Sequence, residues 1–323
     1  MNRRESIVAL SALGAIPMTV LAQPPRVHRV GVLWVGGAAS TLIDGLRDGL
    51  RELGLEEGKQ VIFHLRDSNG DLKWIETSAR RLESERVDVI YTVSTSVTLA
   101  AKRATKSVPI VFYAGSDPVG AGIVASYRKP GGRFTGIHSL TADLMAKRLQ
   151  LLKEMIPRLQ KVATFYNPEN SASQAAVATV REAAQRLNIE LVVRQVTSVE
   201  QLRAALAALR ASEADAILSV PDSMVSSQAD LIIRTAREKK LPTMFQFSDD
   251  VARGAMASYG VSYYDLGRFS AKHVQRILAG AIPGELPVEQ IDRFSFLVNQ
   301  KTAREMGVII PQAVLLRADK VVE

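Results

Sequence analysis

Hydroxyls, carboxylates and aromatic rings gather where apolar runs of this chain end, and those points could do binding chemistry. Ser94, Thr95 and Ser96 follow the run that closes at Val93 and open a stretch with helical spacing. Free N–H groups and hydroxyls at a helix start suit a carboxylate or another anion, and they equally suit plain capping. Ser116 and Asp117 follow Tyr113-Ala114 in the same way. The Asp117 carboxylate could hold a ligand ammonium group or cap the loop ahead of Pro118. Asp222, between Pro221 and Ser223, is a second ammonium candidate. The run Tyr166-Asn167-Pro168-Glu169-Asn170-Ser171 occupies a further such end, and Gln246 follows Phe245. Tyr166 brings a ring face and a hydroxyl, and Asn167 and Asn170 bring both donors and acceptors. Trp34, near the end of the first run, could stack on a planar ligand or fill the core. For each of these positions local turn chemistry is the plainer alternative, because Asn, Asp, Ser and Pro dominate turns.

Catalytic patterns are missing. The four histidines, His28, His64, His138 and His273, are far apart in sequence, and none sits in a metal-binding spacing. There is no Gly-x-Ser-x-Gly elbow, no phosphate loop, and no Gly-x-Gly-x-x-Gly after the first apolar run. With no cysteine at all, disulfides, thiolate catalysis and cysteine-type zinc sites are excluded. No cofactor, no metal and no enzymatic activity are expected. The 41 Lys+Arg against 33 Asp+Glu give a net charge of +8, but these charges are scattered. A nucleic-acid binder concentrates them on one face or arm, so no nucleic-acid partner is expected.

The elements that must position these residues alternate regularly. Apolar runs at Val27–Val35, Val61–Leu65, Val87–Val93, Pro109–Ala114 and Phe134–Ser139 read as strands. Helical spacings at Thr41–Leu53, Leu72–Leu82 and Val97–Thr105 fall between them. After a helix over Leu144–Ile156 the rhythm repeats, with strands at Val162–Tyr166, Leu191–Val196, Ala216–Val220, Thr243–Phe247 and Ala257–Val261. Strand–helix alternation with short loops is the signature of parallel α/β architecture. Two successive sheets predict two Rossmann-like lobes with a hinge and a cleft between their strand ends. Residues 23–140 with 262–323 are assigned to the first lobe and 141–261 to the second. The crossings are placed near Ser139–Ala142 and Gly260–Tyr264, and the strand at Phe294–Val298 is placed in the first lobe. The small-residue loop from Gly115 to Gly122, just past a buried strand, stands where such sheets hold ligands.

Residues 1–22 read as a cleaved signal peptide. Arg3-Arg4 supply a positive start, Ile7–Ala22 an apolar stretch too short to span a membrane, and Val20-Leu21-Ala22 a small-x-small cleavage site. The arginine pair is compatible with twin-arginine or general export. Without a cysteine at the cleavage point, no lipid anchor is expected and the protein should be free in the periplasm.

Three blocks carry a resemblance. Asp117–Gly136 (DPVGAGIVASYRKPGGRFTG), Asn299–Asp319 (NQKTAREMGVIIPQAVLLRAD) and Gly45–Gly54 (GLRDGLRELG) occur in the order of one family, and together span the mature chain. The chain thereby resembles the ABC-transporter substrate-binding protein family whose characterised members include tryptophan- and phenylalanine-binding lipoproteins. The resemblance implies a type I periplasmic-binding-protein-like fold that captures a small molecule, with an amino acid leading, and delivers it to an ABC permease as a monomer. Ser94–Ser96 would then hold a carboxylate, Asp117 or Asp222 an amine, and Trp34 or Tyr166 a side chain. An exported α/β hydrolase or a periplasmic sensor would be the alternatives.

Overall fold

The structure, a computed structural model, describes residues 26–141 and 143–323. The expected signal peptide and the crossing residue Ala142 lie outside these described residues.

Buried strands and amphipathic helices alternate from the start. Strand β1 (His28–Trp34) leads through a 3-10 turn into α1 (Ser40–Glu52), followed by β2 (Val61–Asp67) and α2 (Leu72–Ser84). Then come β3 (Val89–Val93), α3 (Thr95–Ala104), β4 (Ile110–Ala114) and β5 (Phe134–His138). After the first crossing come α4 (Met145–Met155), β6 (Lys161–Tyr166), α5 (Ser171–Arg186), β7 (Glu190–Gln195) and α6 (Val199–Ala208). The run continues with β8 (Ala216–Leu218), α7 (Ser223–Ser227), α8 (Ala229–Glu238), β9 (Thr243–Phe247), α9 (Asp249–Ala252) and β10 (Ala257–Val261). Last come α10 (Tyr263–Leu278), β11 (Glu289–Gln290), β12 (Ser295–Asn299), α11 (Gln300–Glu305), α12 (Gln312–Leu315) and β13 (Lys320–Val322).

The first sheet has the order β11-β5-β4-β3-β1-β2, and all its pairings are parallel. The second has the order β13-β12-β10-β9-β8-β6-β7. Every residue of β3, β4, β5 and β9 is buried, as expected of parallel strands covered by helices on both faces. Each sheet carries an apolar cluster on either side. Leu42, Leu46 and Leu50 of α1 pack with Leu266 and Val274 of α10 on one face of the first sheet. Ile75, Leu82 and Val97 pack on the other. Gly45 and Gly267 let α1 and α10 touch backbone to backbone, since a Cβ on Gly267 would lie 1.9 Å from the Leu42 carbonyl oxygen.

One assignment is corrected. The strand expected in the first lobe at Phe294–Val298 is β12, and it pairs antiparallel with β10 in the second sheet, with β13 beyond it. The chain therefore crosses a third time, after β11 has paired with β5. The edge of β10 would otherwise expose unpaired N–H and C=O groups. Covering it also buries Phe296 and Val298 with Met306 and Ile310 in the second lobe's core.

Candidate functional site

The two sheets point strand ends at each other, and turns of like chemistry meet between them. On the first lobe the chain passes from β3 into α3 through Ser94, whose φ of +101° and ψ of 158° lie in a region almost reserved for glycine. Strain of this kind persists only where the surroundings over-determine it, typically at ligand sites. The Ser94 hydroxyl accepts from the Val97 N–H at 3.3 Å. Across the cleft, Pro221-Asp222-Ser223 leads from β8 into α7. Ser223 joins the lobes, with its Oγ 2.7 Å from Ser96 Oγ and 2.9 Å from Ser94 Oγ. The Thr41 hydroxyl donates to Asp249 Oδ1 at 3.1 Å and forms a second bridge. Gly37 makes a third contact, with backbone of Ser226 and Ser227 so near that a Cβ there would be 2.9 Å from the Ser226 oxygen. The lobes are thus in contact and border a cavity of ≈ 60 Å³.

Aromatic rings form much of its wall. Tyr113 at the end of β4 is hydrogen-bonded to Ser139 Oγ at 2.9 Å, and burial pushes its pKa up to about 12. Phe247 and Tyr263 stack with centroids 3.8 Å apart and planes 19° apart, and both line the cavity. Burial raises the pKa of Tyr263 as it does that of Tyr113, so both phenols are neutral at ordinary pH and offer ring surface and hydroxyl groups but no charge. Gln246, 3% exposed, donates from Nε2 to Ser226 Oγ at 2.9 Å. Its Oε1 is buried and has no hydrogen-bond partner among the described residues.

Behind the wall lies a fully buried cation. Arg148 of α4 donates from Nη1 to the Thr141 carbonyl at 2.8 Å and from Nε to the Tyr259 carbonyl at 2.7 Å. It thereby ties the first interlobe crossing to β10 of the second lobe. Burial pushes its pKa down to about 9, because no carboxylate offsets the desolvation of its charge.

Of the residues singled out from sequence, Ser94, Thr95, Ser96, Asn170, Asp222, Ser223 and Gln246 line the cavity. Asn167 and Ser171 lie in an adjoining groove with Leu99, Arg103 and Glu169. The other four do not line the cavity. Trp34 packs into the first lobe's core, with its Nε1 buried and unpaired. Ser116 braces the site from behind, 2.8 Å from Thr95 Oγ1. Tyr166 packs in the second lobe's core and accepts from Gln195 Nε2 at 3.1 Å. Asp117 is exposed and caps its own loop, accepting from the N–H groups of Val119 at 2.9 Å and Gly120 at 3.0 Å. The Tyr127 hydroxyl also donates to it at 2.5 Å, which holds its carboxyl below the usual range. Most of the Gly115–Gly122 loop follows Asp117 away from the cleft, and only Gly115 reaches the cavity.

Asp222 faces the cavity with its charge already engaged. It accepts from the N–H groups of Asn167 and Val225, both at 3.0 Å, from Ser173 Oγ at 2.7 Å and from Asn170 Nδ2 at 3.3 Å. The lining residues missed from sequence include Gly36, Tyr113, Thr141, Phe247 and Tyr263. Tyr113 and Phe247 do end buried strands, a signal that was present. Thr141 and Tyr263 sit on crossings, whose approach to the cavity depends on how the lobes meet.

Two lobes of parallel α/β architecture, joined by several crossings beside a cavity between them, define a type I periplasmic-binding-protein fold. Residues 30–322 match the family model described as ABC transporter substrate binding protein, and the chain belongs to that family. It is 28% identical over 266 residues to the tyrosine-binding protein of Clostridioides difficile (strain R20291), spanning 82% of this chain and 76% of that one. The structure is similar to the ABC domain in complex with L-Trp from Streptococcus pneumonia, at 25% identity and a TM-score of 0.81, covering 92% of this chain and 100% of that one. It also resembles the ligand-free, open structure of a substrate-binding protein with adhesive properties from Clostridium difficile, at 26% identity and a TM-score of 0.60, covering 92% and 99%. At nearly equal identity, the contacting lobes of this chain superpose better on the ligand complex than on the open form.

Proposed function

We propose that this protein captures an amino acid, best an aromatic one, between its lobes and delivers it to an ABC permease in the inner membrane. One observation carries the reading: a strained serine turn on one lobe meets a serine turn on the other across a cavity walled by Tyr113, Phe247 and Tyr263. The N-terminus of α3 at Ser94–Ser96 would hold the ligand carboxylate, since unpaired N–H groups and the helix dipole favour negative charge there. The stacked rings would receive the side chain. Ligand bridging the lobes shifts the population toward the closed form, which presents one continuous surface to the permease. The tyrosine- and L-Trp-binding relatives support an aromatic ligand. The protein acts as a monomer in the periplasm after removal of residues 1–22, and it does not catalyse a reaction.

The test is thermal unfolding of residues 23–323, first unfolded and refolded to strip carried-over ligand, against amino acids, sugars, carboxylates and polyamines. Ligand at ~100 times its dissociation constant adds roughly 2.7 kcal/mol, a rise of about 5–10 °C for domains of this size. A rise with aromatic amino acids is expected. Silence across the amino acids, or a rise with sugars alone, would overturn the assignment.

A further inference from the structure

Within that reading, the amino end of the ligand poses a separate question, because the carboxylate in the cavity wall already serves the turns of its own lobe. Among the described residues Asp222 is the one acidic residue lining the cavity, and its Oδ2 accepts from Asn167, Asn170 and Ser173 while its Oδ1 accepts from the Val225 N–H. An ammonium group would therefore have to share Oδ1 with the N–H group that it caps at the start of α7, on a carboxylate whose charge four donors already draw on. Asp117 is turned into its own loop. What does wait unpaired is neutral: Gln246, 3% exposed, with Oε1 buried, bonded to nothing and placed on the cavity wall. The amide is set with Nε2 against Ser226 Oγ at 2.9 Å.

The charge behind the wall points the same way. Arg148 forms its hydrogen bonds to the carbonyls of Thr141 and Tyr259 and to the Met145 sulfur, and Nη2 has no partner among the described residues. Thr141 itself lines the cavity, so an unneutralised cation sits one residue behind the ligand space. In a low-dielectric interior it favours a carboxylate there and disfavours an ammonium group.

We propose that Gln246 is the specificity-determining residue for the ligand's α-substituent. The site recognises that substituent as a hydrogen-bond donor and not as a cation, so it takes 2-hydroxy acids alongside amino acids. This inference rests on the proposed amino-acid reading and extends its substrate class to 2-hydroxy carboxylic acids bearing the same side chain. A hydroxyl donates one hydrogen bond to Gln246 Oε1, as an ammonium group does. A plain propionate has nothing to donate and leaves the amide oxygen buried and unmet.

The experiment is calorimetric titration of residues 23–323, which carry the whole described fold, with two matched series. One is L-tyrosine, its 2-hydroxy acid and its desamino propionate; the other is L-tryptophan with the same two analogues. The 2-hydroxy acid is expected within about tenfold of the amino acid, and the propionate at least about tenfold weaker than either. A preference for the amino acid beyond tenfold would overturn the proposal and return the role to a charged acceptor, since losing a buried charge pair costs roughly 30-fold or more. Gln246→Glu supplies the missing charge in the same shape, with the Ser226 hydroxyl free to turn and donate. It should raise the preference for amino acid over hydroxy acid by roughly 30-fold, and an unchanged preference would also overturn the proposal. The wild-type series decides the matter even if the variant does not fold. Amino acids binding without their hydroxy acids would sink this inference alone. If neither series binds at all, the aromatic-ligand reading falls and takes this inference with it.

Discussion

Alanine at Gly37 separates closure of the lobes from folding of the chain. Gly37 has a φ of +69°, and a Cβ built on it would lie 2.9 Å from the Ser226 oxygen, 3.1 Å from Ser227 Cα and 3.2 Å from the Ser227 oxygen. All three are backbone atoms of the opposite lobe, so no side chain can swing away to make room. Two penalties follow. The left-handed backbone costs any L-residue roughly 1–2 kcal/mol, and it does so whether the lobes are together or apart. The contact with the second lobe exists only when they are together, and overpacking of this kind costs about 1–3 kcal/mol. Only this second penalty opposes ligand binding, and it lowers affinity by about 5- to 150-fold. Gly122→Ala is the control, because Gly122 has a φ of +70° with nothing within 4 Å of the added carbon. The assay is calorimetric titration of both variants with the amino acid found by thermal screening, beside their melting without ligand. Both variants should melt lower than wild type by similar amounts, and only Gly37→Ala should bind more weakly. Wild-type affinity in Gly37→Ala, or an equal loss in Gly122→Ala, would refute the closed contact as a part of binding.

Two further outcomes concern stability. Gly267→Ala gains about 1 kcal/mol of helix propensity, but its Cβ would stand 1.9 Å from the Leu42 carbonyl oxygen. The contact forces α1 and α10 apart, for a net loss of roughly 2 kcal/mol and a melting temperature lower by about 4–8 °C; an unchanged or higher melting temperature would contradict it. Burial tends to raise the pKa of Glu83, but the N–H groups of Ser107, Val108 and Lys106 outweigh it and hold the carboxyl at about 2. A depressed carboxylate stabilises the fold fully above its unfolded pKa near 4.5 and loses that contribution as pH falls toward 2. Glu83→Gln should therefore cost about 1–2 kcal/mol at pH 7, after allowance for solvent screening. Its melting curve should converge with wild type as pH approaches 2, and a constant gap across that range would rule out the carboxylate as the cause.

The succession of elements was legible because each buried strand writes itself as an apolar run. Val89–Val93, Ile110–Ala114 and Thr243–Phe247 are buried at every position, and a run of that kind between helical spacings has few other readings. Strand ends were legible for the same reason, and Ser94–Ser96, Asn170, Asp222, Ser223 and Gln246 were found there. What an end residue does with its side chain was harder to read. Asp117 and Asp222 look alike in sequence, each an aspartate at a strand end beside a proline. Asp117 folds back on Val119, Gly120 and Tyr127, while Asp222 reaches Asn167 and Ser173, about fifty positions away in the chain. The first choice is local, and the second depends on which loops the sheet order brings together.

The sequence by itself therefore determined the alternation of strands and helices, the two-lobe α/β class and the absence of cysteine chemistry, and three motif blocks carried the resemblance to the family. These depend on composition, period and local order. Tertiary structure decided the rest. It sent β12 and β13 back to the second sheet, because the open edge of β10 and the pocket for Phe296 exist only once that lobe is assembled. It buried Trp34 and Tyr166 in the cores and brought Tyr113, Phe247 and Tyr263 to the cavity. It also left Arg148 and Gln246 each with a buried polar atom that has no partner among the described residues. A residue's identity reports which bonds it can make, but whether those bonds are already taken is a property of its neighbours in space.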